Sequence, residues 1–209
     1  MEAEATKPRD GLEPELRYKS WRTSRSTGSP KKPAPGELFV RPITGMDTLD
    51  RIVNRSLRAF LDHINREKWF GRENEAVSLY AFGFLQHERG DGSPLSDPTQ
   101  IAIEVGVADT PKGPNSQVRK DLVIWREPGV NRWFPEQPRS EPLAIMEWKV
   151  RRPGMRGGFS TDPDVEWLSA HCARKRETVG YSVLLDLTGE KASLKCTRIT
   201  ANGSRVVEF

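Results

Sequence analysis

Apolar residues recur at helical spacing near the start of the predicted folded region. Seven of them fall at offsets 0, 3, 4, 8, 11, 12 and 15 from the first, which places them on one face of an α-helix. Asp47 precedes the pattern and is expected to cap this helix. A second helix is predicted over residues 73–87, because the segment 89–94 combines two glycines with a proline and breaks it. The apolar face of the first helix comprises Leu49, Ile52, Val53, Leu57, Phe60, Leu61 and Ile64.

Six further segments have the length and side-chain composition of β-strands, and a third helix interrupts them. The sequence Asp162-Pro163-Asp164 contains a helix N-cap, a proline at the first helical position and an acid in the first turn. We expect this helix to end at Gly180, because glycine is favoured just after a helix C-terminus. The predicted strands cover residues 100–107, 119–125, 143–150, 181–187, 193–200 and 205–208.

The predicted order is two helices, three strands, one helix and two or three strands. Strands joined by connections without a helix pair antiparallel, whereas a strand–helix–strand crossover gives a parallel pair. The sequence therefore predicts an α/β (α+β) fold with a mixed β-sheet flanked by helices.

The first 36 residues differ in composition from the rest and are predicted to form a disordered arm. They are rich in proline, serine, threonine and charge, with few aliphatic side chains. Between residues 17 and 36 there are six Lys or Arg and no acid, with Tyr18 and Trp21 among the cations. Cations and aromatic rings suit a nucleic-acid backbone and its bases, although a solvated linker has the same composition. Residues 37–209 are expected to form one folded domain.

Charge and composition limit the partners and the cellular compartments that suit the folded domain. The net charge is +3 in residues 1–36 and +1 in the remainder, so the domain itself attracts nucleic acid only through local patches. No apolar run approaches the ~20 residues of a membrane span, and the N-terminus lacks the apolar segment of a secretory signal. The two cysteines form no CxxC motif and fit a reducing compartment. We expect an intracellular protein, cytoplasmic or associated with the nucleoid or nucleus, without a membrane partner.

A carboxylate and an amine two residues apart stand near the end of an apolar strand. Side chains alternate along a strand, so Glu147 and Lys149 share one face. Burying them is costly unless they are paired or used, and as an exposed ion pair they contribute at most about 1 kcal/mol. Asp121 opens the apolar part of the preceding strand. If the two strands are neighbours, both carboxylates meet at one edge of the sheet.

Two carboxylates at one sheet edge suit Mg²⁺ or Mn²⁺, because these ions prefer oxygen ligands. The backbone carbonyl of Trp148 lies between Glu147 and Lys149 and is a further candidate ligand. A divalent metal ion lowers the pKa of a bound water and neutralises phosphate charge. Lys149 is placed to orient that water or to stabilise the transition state. This chemistry indicates hydrolysis of phosphodiester bonds.

These residues resemble the motif of the PD-(D/E)xK nuclease superfamily, whose members are restriction-endonuclease-like. The resemblance covers roughly residues 70–190 and comprises an acidic helix, Asp121, the segment Glu147-Trp148-Lys149, the helix from Asp162 and the strand from Tyr181. It implies an αβββαβ core and Mg²⁺-dependent nuclease activity, with DNA favoured over RNA as substrate. Lys120 stands where the motif has proline, which departs from the superfamily pattern.

The resemblance also implies roles for residues outside the two strands. A metal ligand is expected on the acidic helix, where Glu75 is preferred over Glu73 because it directly precedes two apolar residues. An auxiliary cation on the later helix corresponds to Arg174 or Lys175. A basic loop after Lys149 is a candidate phosphate-binding segment, although a solvated connection has the same composition. Its cations are Arg151, Arg152 and Arg156.

Three functions are compatible with this pattern, one of them a scaffold protein that does not bind nucleic acid, for which the near-neutral charge of residues 37–209 argues. The first is a Mg²⁺-dependent nuclease, which the intact set of acids and lysine favours. The alternative is a catalytically inactive module of the same superfamily that binds nucleic acid or a partner protein. A homodimer or a larger complex is compatible with either.

Overall fold

The computed structural model describes residues 45–107, 118–129, 141–155 and 160–209. The predicted arm, residues 1–36, and the loop cation Arg156 lie outside these ranges. Within the described part of the chain, no helix has the length and apolar character needed to cross a membrane.

Three α-helices and six β-strands make up the described domain. The helices are α1 (Gly45–Glu67), α2 (Glu73–Gly83) and α3 (Asp162–Arg174), with short 3₁₀ turns at Leu85–Glu88 and Pro98–Gln100. The strands are β1 (Ile101–Val107), β2 (Val118–Trp125), β3 (Pro142–Arg151), β4 (Val179–Asp186), β5 (Ser193–Thr200) and β6 (Gly203–Glu208).

The six strands form one mixed sheet in the order β1-β2-β3-β4-β5-β6. Every neighbouring pair is antiparallel except β3 and β4, which are parallel and are joined through α3. The predicted meander of three strands and the predicted helical crossover to a parallel strand are both confirmed. The element order from α2 to β4 is therefore helix, three strands, helix and strand.

Helices cover both faces of the sheet. The larger core lies under α1 and α2, and all seven residues of the predicted apolar stripe of α1 are buried in it. The smaller core lies under α3, where Leu168 and Cys172 pack against Val123, Ile145 and Ile199. A strand thus contributes alternate side chains to two different cores, which fixes the register of each element.

Polar contacts fasten α1 to the sheet. Asp50 Oδ1 accepts a hydrogen bond of 2.6 Å from the Tyr181 hydroxyl of β4 and one of 2.7 Å from Arg198 Nε of β5. Burial raises the pKa of the Tyr181 hydroxyl well above its usual range, and the Asp50 charge raises it further. The hydroxyl therefore stays protonated and donates to Asp50.

Four predicted helix ends are corrected by the structure. Asp47 lies in the first turn of α1, which starts at Gly45, and Asp162 is the first residue of α3, whose N-cap is Thr161. The helix that starts at Glu73 stops at Gly83 and continues only as a 3₁₀ turn. The helix that starts at Asp162 ends at Arg174, and Gly180 lies inside β4 instead of following the helix. A Cβ atom on Gly180 would lie 3.1 Å from Cβ of Leu168, so this glycine permits the close packing of α3 on the sheet.

Candidate active site

Strands β1 and β2 change the faces of their side chains at the same level of the sheet. Ile103 and Leu122 are paired across the two strands and both pack in the core under α1 and α2. Val105 and Lys120 form the next pair along the two strands, with Glu104 and Asp121 between the two pairs. Val105 packs in the core under α3, and Lys120 lies over the ring of Trp167 in α3. Both strands therefore lose regular alternation between these pairs.

The change of face occurs at Glu104 and Asp121. Glu104 has a φ of 51°, a left-handed conformation that interrupts the alternation of a strand. Pairing of β2 with β3 also ends here, at Leu122 and Met146, and Asp121 Oδ2 instead accepts a hydrogen bond of 2.7 Å from the amide of Trp148. Since strand amides point within the plane of the sheet, the Asp121 carboxylate lies between the two strands.

Trp148 fixes the orientation of β3 at the point where β2 and β3 separate. Its side chain is fully buried under α1 and α2, with ring centroids 5.6 Å from Phe60 and 5.0 Å from Tyr80. Because strand side chains alternate, its neighbours Glu147 and Lys149 project toward the α3 side. The two site residues of β3 therefore share a face, as alternation predicts.

Glu147 forms a buried ion pair with Lys120 of β2. The Lys120 ammonium donates to Glu147 Oε1, and the two side chains are only 5% and 7% exposed. The same ammonium lies 3.5 Å from the centroid of the Trp167 ring, a cation–π contact that further stabilises its charge. The ion pair of Glu147 is therefore buried, in contrast to an exposed ion pair at the end of a strand.

Burial and Lys120 act in opposite directions on the pKa of Glu147. Burial raises the pKa of its carboxyl most, the nearby charges of Asp121 and Asp164 also raise it, and the resulting pKa is about 7. The hydrogen bond and charge of Lys120 lower the pKa, but they do not reverse the upward shift. A proton on Glu147 is therefore easily gained or lost near neutral pH.

Lys149 lies where the first turns of α2 and α3 approach the end of β3. Its ammonium donates a hydrogen bond of 3.0 Å to the backbone carbonyl of Trp148. It also lies 3.6 Å from Glu73 Oε1 of α2 and 3.5 Å from Asp164 Oδ2 of α3. Burial lowers the pKa of Lys149, but the charges of four nearby carboxylates together raise it more, so the net shift is upward and the amine stays charged. In order of effect these are Glu73, Asp164, Asp121 and Glu147.

The acid that α2 brings to this cluster is Glu73, which corrects the expectation that Glu75 does so. Two residues along a helix differ by roughly 200° around its axis, so the two glutamates point in different directions. Glu75 Oε2 accepts a hydrogen bond of 2.6 Å from the amide of Arg72 and thereby caps α2. Burial raises the pKa of Glu73, and the charge of Asp121 raises it too, against the lowering effect of Lys149.

A cleft of about 320 Å³ opens beside the two acids Glu73 and Asp121. It lies between the start of α2 and the end of β3, and its floor includes Val77 and Val150. Acidic and basic groups therefore meet in one concave surface. The charged residues that line it are Arg72, Glu73, Glu104, Asp121 and Arg152.

Of the other predicted cations that the structure describes, all but Arg152 lie away from the cleft. Arg151 pairs with Asp186 of β4 at 3.3 Å. Arg174 and Lys175 lie at the C-terminal end of α3, and Lys175 pairs with Glu141 at 2.6 Å, next to the first residue of β3. This is the opposite end of β3 from Lys149, so the expectation of an auxiliary cation from Arg174 or Lys175 is corrected. Of the three cations predicted in the loop, Arg152 lines the cleft.

Sequence reasoning missed two residues of the cluster, Lys120 and Asp164. In the sequence, Lys120 is only a departure from the motif, and a regular β2 would place it on the α1–α2 face. Asp164 is explained in the sequence as a first-turn acid that the helix dipole favours. A signal for it was available, because the first turn of a helix that follows β3 returns to the end of that strand.

The donors in this cluster have the chemistry that Mg²⁺ or Mn²⁺ requires. They comprise the carboxylates of Glu73, Asp121 and Glu147 and the backbone carbonyl of Trp148. Among the described residues, no three acidic, histidine or cysteine side chains lie close enough together to hold one ion, so side chains must rotate for such binding.

A scan against protein-family models and searches of curated proteins and solved structures give no match.

Proposed function

We propose that the protein is a nuclease that hydrolyses phosphodiester bonds with Mg²⁺ or Mn²⁺, acting on DNA rather than RNA. The observation that carries the proposal is the convergence of Glu73, Asp121, Glu147 and Lys149 from three elements at the point where β2 and β3 separate. We further propose a restriction-endonuclease-like core, supported by the order of α2, β1, β2, β3, α3 and β4 and by their pairing.

The chemistry of the donors fits a divalent ion. Asp121 lies close enough to Glu73 and to Glu147 that its charge raises the pKa of both. Such accumulated negative charge is relieved by a cation, and carboxylate oxygens suit a hard divalent ion. Glu73, Asp121, Glu147 and the Trp148 carbonyl would hold it. The chemistry supplied by a bound divalent ion is activation of water and neutralisation of phosphate charge.

The residues of the chain have distinct proposed roles around the reacting phosphate. Lys149, which stays charged, stabilises negative charge that develops on the phosphate or orients the attacking water. Asp121 is held in place by the Trp148 amide, so its carboxylate is positioned before substrate binds. Arg152 and Arg72 line the cleft and provide cations for the phosphates of the bound strand.

A second candidate function is a module that binds nucleic acid without cutting it. The observation that favours it is the buried ion pair of Glu147 with Lys120, which occupies a carboxylate that the nuclease needs for metal. If this pair does not open, the cleft retains its cations but lacks one metal ligand.

Cleavage of plasmid and single-stranded DNA by the full chain separates the two functions. The nuclease predicts cutting with Mg²⁺ or Mn²⁺, none with EDTA, and near loss of cutting in Asp121→Ala and Glu147→Ala. The matched control is Asp186→Ala, which removes a partly buried acid at the end of β4, away from the cleft. DNA binding without cutting in any metal would support the second function, and RNA cut in preference to DNA would correct the substrate.

A further inference from the structure

Lys149 is held by two carboxylates that differ in their surroundings. Glu73 lines the cleft and interacts with Asp121, whereas Asp164 belongs to α3 and is absent from the cleft lining. A divalent ion bound beside Asp121 would compete with Lys149 for Glu73. It would leave the contact between Lys149 and Asp164 in place.

The environment of Asp164 favours a role beyond the helix dipole. Its Oδ2 atom is inaccessible to solvent and makes no hydrogen bond within the described part of the chain. A buried carboxylate oxygen without a hydrogen bond is costly, and the Lys149 ammonium 3.5 Å away compensates for that cost. Asp162, in the same helical turn, is exposed and satisfies the dipole without any such burial.

We propose that Asp164 is a positioning residue for Lys149, whose ammonium it holds beside the end of β3 when Glu73 turns to a divalent ion. This inference rests on the proposed nuclease function for its catalytic consequence, while the positioning contact itself does not depend on metal. Lys149 has one acidic partner in α2, Glu73, and one in α3, Asp164. Removing either carboxylate alone therefore leaves the other in contact with the ammonium.

Chemical labelling tests the positioning contact without any cleavage. The probe is acetic anhydride in limiting amount, with modification of Lys149 measured by mass spectrometry relative to the exposed Lys195. Glu73→Gln removes the first partner and imitates its withdrawal. Adding Asp164→Asn to Glu73→Gln should increase labelling of Lys149 several-fold, whereas adding Asp162→Asn should not. Equal labelling of Lys149 in the two double variants would overturn the proposal.

Kinetics test the consequence for catalysis. Asp164→Asn should lower kcat by about tenfold or more, since transition-state contacts commonly contribute that much, with little change in KM. Asp162→Asn should retain wild-type kcat, and Asp164→Glu should restore part of the loss. An unchanged kcat in Asp164→Asn would refute the catalytic consequence. If the wild type does not cut DNA, the nuclease proposal fails and the labelling result alone decides the positioning role.

Discussion

Lys120 and Glu147 form an ion pair across β2 and β3 whose two side chains are almost fully buried. It exists because β2 changes face at Asp121, which moves Lys120 from the α1–α2 side to the α3 side. The pair stands at the opening where Asp121, Lys149 and Glu73 meet. Its properties therefore bear on both the stability of the fold and the chemistry of the site.

Lys120→Met should destabilise the protein by roughly 3–5 kcal/mol at pH 8, because it leaves the buried Glu147 charge without a partner. The matched control is Arg119→Met, which removes an exposed cation of the same strand and should change stability by less than about 0.5 kcal/mol. Urea unfolding followed by circular dichroism measures both changes. Equal stabilities of the two variants would show that the ion pair does not contribute.

Stability should depend on pH through Glu147. Burial raises the pKa of its carboxyl to about 7, above the ordinary value of about 4.3, so the folded state binds this proton more tightly. The stability that the proton provides is complete below pH of about 4.3 and is lost as pH rises through about 7. Glu147→Gln cannot titrate at this position. The free energy of unfolding of this variant, taken relative to that of wild type, should therefore rise as the pH increases from 5 to 8. Parallel melting temperatures of the two proteins across this range, measured without divalent ions, would contradict the shift.

The two acids of α2 should differ in their effect on cleavage. Glu73→Gln removes the carboxylate near Asp121 and Lys149 and should reduce cleavage by about a hundredfold, the scale of losing one key charged group. Glu75→Gln keeps an oxygen that can accept from the Arg72 amide, so it should leave cleavage within about twofold of wild type. Initial rates at saturating Mg²⁺ compare the variants. A greater loss in the Glu75 variant would restore Glu75 as the helical ligand.

Arg152 should contribute to DNA binding from the cleft. Arg152→Ala should weaken binding of DNA uniformly across sequences and reduce the slope of log affinity against log salt by about 1. Arg174→Ala removes an exposed cation at the far end of α3 and serves as the control, with no expected change. Fluorescence anisotropy at several salt concentrations, in EDTA, measures both slopes. Identical slopes for Arg152→Ala and wild type would remove this residue from the proposed DNA surface.

Asp50 should matter for the fold and not for the site. Asp50→Ala removes the acceptor shared by Tyr181 and Arg198 and should cost about 2 kcal/mol or more, since hydrogen bonds to a charged group contribute about 1.5–3 kcal/mol. Asp62→Ala changes an exposed acid of the same helix and should have little effect. Both variants should cut DNA like wild type at temperatures where they are folded. A strong loss of cleavage in folded Asp50→Ala would indicate coupling between α1 and the site.

Several features of the protein could be predicted from sequence because they depend on local periodicity. The apolar stripe from Leu49 to Ile64 fixes the buried face of α1, and the alternation in β3 places Glu147 and Lys149 on one face. The connections without helices specify the antiparallel meander, and the helix after Asp162 specifies the crossover. Each of these follows from the geometry of a single element or of two successive elements.

Other features depended on tertiary structure. Glu73 and Glu75 have the same side chain and occupy the same turn, and only the rotation of α2 against the sheet decides which one meets Asp121. Asp164 belongs to the cluster because the first turn of α3 lies at the end of β3. Arg174 and Lys175 lie at the C-terminal end of α3, away from the cluster. These outcomes depend on where whole elements lie, which side-chain periodicity does not encode.

The sequence by itself determined which elements form, their order, and the presence of two acids and a lysine on β2 and β3. Only the tertiary structure decided that Lys120 faces Glu147. That pairing requires β1 and β2 to change face together at Glu104 and Asp121, an irregularity that no repeat pattern predicts. The physical reason is that regular hydrogen bonding produces a pattern in sequence, whereas a local break in it is stabilised by distant contacts.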